Sequence, residues 1–352
     1  MNFFSLVRPY LFSLDPEKAH HVAFKALNLA HKLGILPFLV GPKKSLPIEF
    51  CGFHLPNPVG LAAGLDKDGR YIDALAALGF GFLEIGTVTP LPQEGNPKPR
   101  MFRLSASSGI INRMGFNNDG VKACVERVRA SQFYKNGGVI GINIGKNALT
   151  PIENATQDYL IGLRAVYDVA SYVTVNISSP NTKNLRSLQS SHELEHLLSS
   201  LNFEREKLTD ETGKRLPMFL KLAPDLTPEQ VFEISSLVEN YQIDALITTN
   251  TTLSRETVKH ERLRSEAGGL SGKPVKELST KILMQFSQKL KGRIPLIGVG
   301  GIATGHDAVE KIQSGAEVVQ LYSGLIFSGP ILIQECIQSI INLKNKSKFH
   351  QS

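Results

Sequence analysis

Eight short apolar runs recur along this 352-residue chain, separated by segments with helical periodicity. The runs are Val59–Ala62, Phe82–Ile85, Val139–Ile144, Tyr172–Ile177, Met218–Leu222, Ala245–Thr249, Leu296–Val299 and Val318–Leu321. The helical segments are Lys67–Leu78, Asp119–Ala130, Asn154–Ala170, Glu193–Leu208, Pro228–Asn240, Pro274–Leu290, Gly305–Ser314 and Gly329–Leu343. This alternation predicts a parallel sheet with helical crossovers, either closed as an eightfold barrel of about 250 residues or open and doubly wound. The polar residues separate the two. Run after run ends in groups fit for chemistry, among them Gly64-Leu65-Asp66-Lys67, Thr87, Asn143, Asn176 to Thr182, Lys221, Thr249-Asn250-Thr251, Gly300-Gly301 and Tyr322-Ser323. In a barrel all strand C-termini converge on one face, whereas an open sheet strings them along an edge. The expected fold is therefore α/β, a (β/α)8 TIM barrel over residues 46–343.

A small amphipathic helical extension, residues 1–45, precedes it. Asp15 is suited to cap a helix and Pro16 to open it. Ala19, Val22, Ala23, Ala26, Leu27, Ala30 and Leu33 follow at helical spacing, and Gly34 can end it. This segment holds six Lys or Arg against Asp15 and Glu17, which is more than half of the chain's net charge of +7. A basic amphipathic pair either packs on the barrel or dips into a lipid headgroup region. Gly41 to Ser45 reads as a linker, and two extended pieces about Cys51-Gly52 read as a hairpin. Residues 344–352 read as a basic C-terminal tail.

Three cysteines without paired spacing argue against a disulfide framework, a zinc site or an iron–sulfur cluster, so no metal is expected. No apolar run reaches the ~18 residues of a spanning helix. A nucleic-acid module would interleave aromatics with a basic patch, and aromatics are only 7% and unclustered.

The late strand ends, Gly298-Val299-Gly300-Gly301 and Tyr322-Ser323-Gly324, suit an anion, and in barrels this is the usual phosphate site. No Gly-x-Gly-x-x-Gly links a strand to a helix with an acidic residue ~20 positions on, which favours flavin mononucleotide (FMN) over a nicotinamide cofactor. Its ring would lie over Ala62-Ala63-Gly64, where small residues permit close approach, with Lys221 offsetting the charge of the reduced ring. Asn112, Asn176, Asn181 and Asn250 each pair a donor with an acceptor, matching a ring with adjacent N–H and C=O groups such as a pyrimidine dione. Lys67 is placed to balance a substrate carboxylate.

At this point the chain resembles a known family. Gly60–Gly69 (GLAAGLDKDG), Glu84–Pro90 (EIGTVTP), Ile111–Asn118 (INRMGFNN), Gly141–Lys146 (GINIGK), Asn176–Thr182 (NISSPNT), Thr248–Thr252 (TTNTT), Gly268–Gly272 (GGLSG) and Gln320–Gly324 (QLYSG) are similar to the motifs of dihydroorotate dehydrogenases. The resemblance runs from about Phe3 to about Leu343. It points to the quinone-dependent class 2 branch, because Ser179 stands where class 1 enzymes carry a cysteine base and because of the N-terminal extension.

The resemblance implies a ping-pong oxidation of dihydroorotate to orotate in pyrimidine synthesis, with FMN reoxidised by a membrane quinone. It implies that Ser179 is the catalytic base. Substrate would be held by Lys67, Asn112, Arg113, Met114, Gly115, Phe116, Asn176, Asn181, Asn250 and Thr251. FMN would be held by Ala62, Ala63, Gly64, Leu65, Asp66, Thr87, Asn143, Asn176, Lys221, Thr249, Gly272, Gly301, Tyr322 and Ser323. Thr182 and Phe116 would line the proton's exit, and His20, Arg103 and Tyr322 would lie near the quinone. The expected location is peripheral, on the cytoplasmic face of the cell membrane, with no nucleic-acid partner. A class 1 enzyme using fumarate, or a dihydrouridine synthase acting on RNA, would share a flavin barrel. The second needs a cysteine at a barrel loop, and none of the three follows an apolar run.

Overall fold

The computed structural model describes residues 3–349. Three helices lead the chain: α1 (Phe3–Ser13), α2 (Pro16–Lys32) and α3 (Leu36–Val40). The Asp15 side chain caps α2 by accepting from the N–H groups of Glu17 and Lys18, and Gly34 follows its end at φ +69°. The short α3 was not expected from the pattern, since five residues are too few to show a period. The linker after it is tied down. Lys44 donates its backbone N–H to Gln334 and its ammonium to Gln338, both at 2.7 Å.

A hairpin of β1 (Ile48–Phe50) and β2 (Phe53–Leu55) follows, turning at Cys51-Gly52 as expected. Next in order come β3 (Val59–Leu61), α4 (Ile72–Ala76), β4 (Phe82–Val88), β5 (Met101–Leu104), β6 (Gly109–Asn112), α5 (Val121–Ala130), α6 (Gln132–Lys135) and β7 (Ile140–Ile144). The chain continues through α7 (Ala155–Val166), β8 (Tyr172–Asn176), α8 (Ser191–Thr212), β9 (Met218–Leu222), α9 (Pro228–Asn240), β10 (Ala245–Thr248) and β11 (Gly269–Gly272). It ends with α10 (Lys276–Leu290), β12 (Leu296–Val299), α11 (Gly305–Gln313), β13 (Val318–Leu321), α12 (Ser323–Ser328) and α13 (Ile331–Phe349). The last helix runs through the basic segment from 344 to 349. Residues 1–2 of the extension and 350–352 of the tail lie outside the described residues.

Among the described residues, eight strands close in the order β10-β12-β13-β3-β4-β7-β8-β9, every pair parallel. The TIM barrel is thus the fold. Two pieces of the pattern reading change. The helix expected from Lys67 shrinks to α4, because the Asp66 carboxylate takes the N–H groups of Arg70 and Tyr71 and holds a loop there. A three-stranded antiparallel sheet, β11-β6-β5, stands over the barrel mouth. It joins residues more than 150 positions apart, so local periodicity could not reveal it.

The barrel interior is packed, not open. Tyr172 stacks on Phe219 with ring centroids 4.2 Å apart, and Phe50 and Phe53 of the hairpin meet these rings at 6.0 and 6.2 Å. A Cβ at Gly141 would lie 2.1 Å from the Tyr172 ring, so this glycine makes the room that the tyrosine fills. The hairpin seals the N-terminal end. A second, larger apolar shell lies between strands and helices and contains Leu83, Val173, Leu197 and Phe286, all nearly inaccessible.

The N-terminal helices dock by one buried ion pair. Arg100 donates from Nη2 to Glu17 at 2.8 Å and from Nε at 3.2 Å, and its Nη1 reaches the carbonyls of Glu94 and Asn96. Burial raises the Glu17 pKa, but the hydrogen bond and charge of Arg100, aided by Lys98, outweigh it and leave the carboxyl below its ordinary 4.5. Removing one partner of such a pair leaves an uncompensated charge. Glu17→Gln should therefore cost about 3 kcal/mol in chemical denaturation. A folded pKa below the unfolded one means that this contribution is complete above pH 4.5 and is lost as pH falls through the lowered value. Hydrogen exchange over residues 3–40 should rise on that acid limb, and unchanged exchange would contradict the role of the pair.

Candidate active site

The strand C-termini surround one cavity, with walls supplied by nearly every expected stretch. Ala62, Ala63 and Gly64 line it after β3, with Lys67 beyond them, and Thr87 lies on β4. Asn112, Met114, Gly115 and Phe116 enter from the end of β6. Asn176, Ser179 and Asn181 follow β8, Lys221 projects from β9, and Thr249, Asn250 and Thr251 follow β10. Gly272, Gly301, Tyr322 and Ser323 complete the far side. Gly300, expected at the anion site, lines it too; Ser271, Gln320, Val275 and Pro180 also line it without being named as site residues, although Ser271, Gln320 and Pro180 stand inside quoted motifs.

Four expected residues are not on this wall. Arg113 turns outward, where it pairs with Glu266 at 2.7 Å and covers the Phe102 ring at 4.5 Å. Leu65 faces a different cavity. Asp66 is buried in the loop it caps, and burial pushes its pKa up to about 6 against the N–H groups of Tyr71 and Arg70. Asn143 lies one layer below the cavity.

The floor is a chain of hydrogen bonds. Thr87 Oγ1 donates to Asn143 Oδ1 at 2.5 Å and accepts from Asn176 Nδ2 at 2.9 Å. Asn176 Oδ1 accepts from Ser178 Oγ at 3.1 Å and from Asn250 Nδ2 at 3.4 Å. The Tyr159 hydroxyl holds the Asn176 carbonyl at 2.7 Å. Below them Asn143 Nδ2 donates to the fully buried Glu84 carboxylate at 2.9 Å, and the Lys221 ammonium stands 3.6 Å from that carboxylate.

The Ser179 loop is held from both sides. Ser179 Oγ accepts the Asn181 N–H at 3.2 Å, and Asn181 Nδ2 donates to Asn112 Oδ1 at 3.2 Å. Arg186, missed in the sequence because it lies beyond the motif, binds the Ser178 carbonyl at 3.1 Å, the Thr251 carbonyl at 2.7 Å and Asp225 at 2.7 Å. It clamps two cavity loops together. Asn181 Oδ1, Thr251 Oγ1 and Gln320 Oε1 are buried on this wall without a protein hydrogen-bond partner, as acceptors meant for a ligand would be.

The far side is a backbone cradle. Gly272, Gly300 and Gly301 have φ of +89°, +104° and +79°, and a Cβ at Gly301 would lie 2.3 Å from the Lys276 backbone. Ser323 and Ser271 exchange a hydroxyl bond at 2.9 Å. Glycine backbone and hydroxyls facing this end of the cavity suit a phosphate, and the orphaned acceptors suit a polar ring, so the residues fit a flavin mononucleotide with a planar substrate beside it.

Electrostatics favour an anion at Lys67. Burial pulls the Lys67 pKa from 10.5 down to about 8, with Arg100 adding to it and Asp68, Glu17 and Asp66 opposing. Beyond it lies a second cavity of about 700 Å³ between the N-terminal helices and the barrel. Its wall is apolar apart from groups such as Tyr10, His20 and Arg103. His20 stacks on Phe24 at 4.5 Å, and burial, then the charges of Lys67 and His21, push its pKa down to about 3, leaving a neutral ring. Arg103 donates to the Phe12 carbonyl at 2.9 Å and lies over the Phe12 ring at 4.2 Å.

Residues 45–343 match the family model described as dihydroorotate dehydrogenase. The chain is 57% identical to the dihydroorotate dehydrogenase (quinone) of Polynucleobacter asymbioticus over 96% of its length and 98% of that protein's. It is 56% identical to the enzyme of the same name from Chromobacterium violaceum, covering 96% of this chain and 97% of that one. A crystal structure of DHODH from Eimeria tenella in complex with ferulenol superposes with a TM-score of 0.86 at 36% identity, covering 95% of this chain and 93% of the other.

The Arg186 clamp gives a direct test of the site's rigidity. Arg186→Ala removes three hydrogen bonds, one to a carboxylate, worth about 2–3 kcal/mol locally. Hydrogen exchange should rise at least tenfold in residues 178–185 and 250–253 and stay unchanged in the barrel strands. Equal protection in both proteins would show that the loops hold themselves.

Proposed function

Since the chain belongs to the dihydroorotate dehydrogenase family, whose members oxidise dihydroorotate to orotate in pyrimidine synthesis, we propose that it does so with FMN and a membrane quinone, and with Ser179 as base. The observation that carries this reading is the meeting of Ser179, Lys67, Lys221 and the amides of Asn112, Asn176, Asn181 and Asn250 on one wall. Gly272, Gly300, Gly301 and Ser323 would hold the FMN phosphate end, and the cofactor would supply a hydride acceptor that can be reoxidised by the quinone.

The chain's own groups do the rest. The amides orient the pyrimidine ring through paired donors and acceptors and reject analogues that leave them unmatched. Lys67 balances the substrate carboxylate. Ser179 takes the proton from the carbon next to the one that loses hydride. A serine hydroxyl is far from the pKa of an efficient base, so the proton must pass on at once. Thr182 Oγ1, buried without a protein partner, and the ring of Phe116 mark its exit.

The apolar cavity suits a quinone with an isoprenoid tail, its ring near His20 and Arg103. Around it Leu6, Tyr10, Leu29, Leu33 and Phe38 are more than half exposed, Phe38 at 87%. Beside them stand Lys18, Lys25 and Lys32 of α2, all exposed. None of the described helices is long and apolar enough to cross a membrane. We infer peripheral attachment through α1 to α3, on the cytoplasmic face of the membrane.

The first test is anaerobic. Dihydroorotate should bleach the yellow flavin, and a quinone but not fumarate should restore it. Recovery with fumarate would move the acceptor, and no bleaching would remove the substrate. Ser179→Ala should slow the bleaching about 10²–10⁴-fold at every pH. Near-normal bleaching in that variant would remove Ser179 from its role.

A second expectation concerns Lys67. Its ammonium form is lost as pH rises through about 8. Orotate affinity, measured by calorimetry, should therefore fall roughly tenfold per unit above that pH. Lys67→Met should bind weakly and show no such limb. An identical limb in the variant would assign it to another group.

A further inference from the structure

Inside the barrel, one layer below the cavity, Glu84 is a carboxylate with no access to water. Its Oε1 accepts from Asn143 Nδ2 at 2.9 Å and lies 3.6 Å from Lys221 Nζ. Its Oε2 accepts from Gln320 Nε2 at 2.8 Å and from the Tyr172 hydroxyl at 3.3 Å. A buried carboxylate costs several kilocalories unless paired and hydrogen-bonded, and apolar residues would fill a barrel interior at less cost. Packing therefore gives no reason for it.

The direction of the bonds does. Ser178 and Asn250 donate to Asn176, Asn176 donates to Thr87, Thr87 donates to Asn143, and Asn143 donates to Glu84. Every proton in the series points towards the carboxylate. An ionised carboxylate only accepts, so it fixes the sense of each amide above it. A neutral amide in its place could donate back and allow the series to reverse. The same carboxylate anchors Lys221, the cation that enters the cavity from β9.

We propose that Glu84 is a positioning residue: it sets the donor sense of the floor amides and holds Lys221 while offsetting its charge, so fixing the reduction potential of the bound flavin. This rests on the flavin reading above. Glu84 does not line the cavity and touches no ligand; it acts through Asn143 and Lys221.

The test is the midpoint potential of the bound flavin, measured spectroscopically against a reference dye in the full-length holoprotein. Glu84→Gln removes the negative charge and leaves Lys221 uncompensated, so the reduced form should gain at least tenfold, a shift of about +30 mV for a two-electron couple. Tyr172→Phe is the second variant. It strips one donor from Glu84 without altering the cavity wall and should move the potential the opposite way by about twofold, roughly 9 mV. If Glu84→Gln does not fold, Tyr172→Phe alone decides, and no downward shift overturns the proposal. Flavin-loaded Glu84→Gln with the native potential overturns it, as do shifts of the same sign in both variants, which would report loosened packing. A native protein without bound flavin would instead overturn the flavin reading, and this inference with it.

Discussion

Closure of the barrel is the constraint on which the rest depends. Eight parallel strands hydrogen-bond in a ring, so all point one way and all end on one face. Tyr172, Phe219 and the hairpin residues Phe50 and Phe53 fill the other end. Residues separated by most of the chain then become neighbours. Gly64 follows the first barrel strand and Tyr322 the last, yet a Cβ on the former would lie 3.2 Å from the ring of the latter. The chemistry of the site is set by what the strands carry at their C-terminal ends and in the loops that follow them.

This explains what could be read in advance. Barrel strands buried on both sides are short apolar runs, and Met218–Leu222, Leu296–Val299 and Val318–Leu321 match the structure residue for residue. The polar residues that follow such runs are conspicuous in sequence, so most of the cavity wall was legible. Three kinds of feature were not. The sheet of β5, β6 and β11 is built from distant segments. Arg113 stands inside a motif, but its side chain leaves the wall for Glu266, a partner 153 positions away. Glu84 sits within an apolar run, where sequence gives a charged residue no address. Its proposed role emerges only once barrel closure brings Asn143 of β7, Lys221 of β9 and Gln320 of β13 to it across the interior.

The two cavities differ as their proposed contents do. One has amides, hydroxyls and two lysines, with acceptors left open. The other is apolar, with a neutral His20 and an Arg103 whose guanidinium is partly occupied by Phe12. The loop after β3 contributes to both, Gly64 to the first and Leu65 to the second, so the two lie back to back across one turn of chain. Glu17 and Arg100 pin the helices that roof the second.

The sealed end of the barrel has a consequence for how the molecule meets dissolved ions. With the hairpin in place Glu84 has no access to bulk solvent and Lys221 is buried except where it meets the cavity, so mobile salt has little room to gather around the pair. Screening acts over about 8 Å at physiological ionic strength, and only where ions can reach. The basic face of α2 is in the opposite situation, since its lysines stand in water. On the proposed attachment, a rise in salt would loosen the hold of those helices on a charged lipid layer and leave the field inside the barrel largely as it was. On these proposals, where the protein resides and how readily it exchanges electrons are insulated from one another.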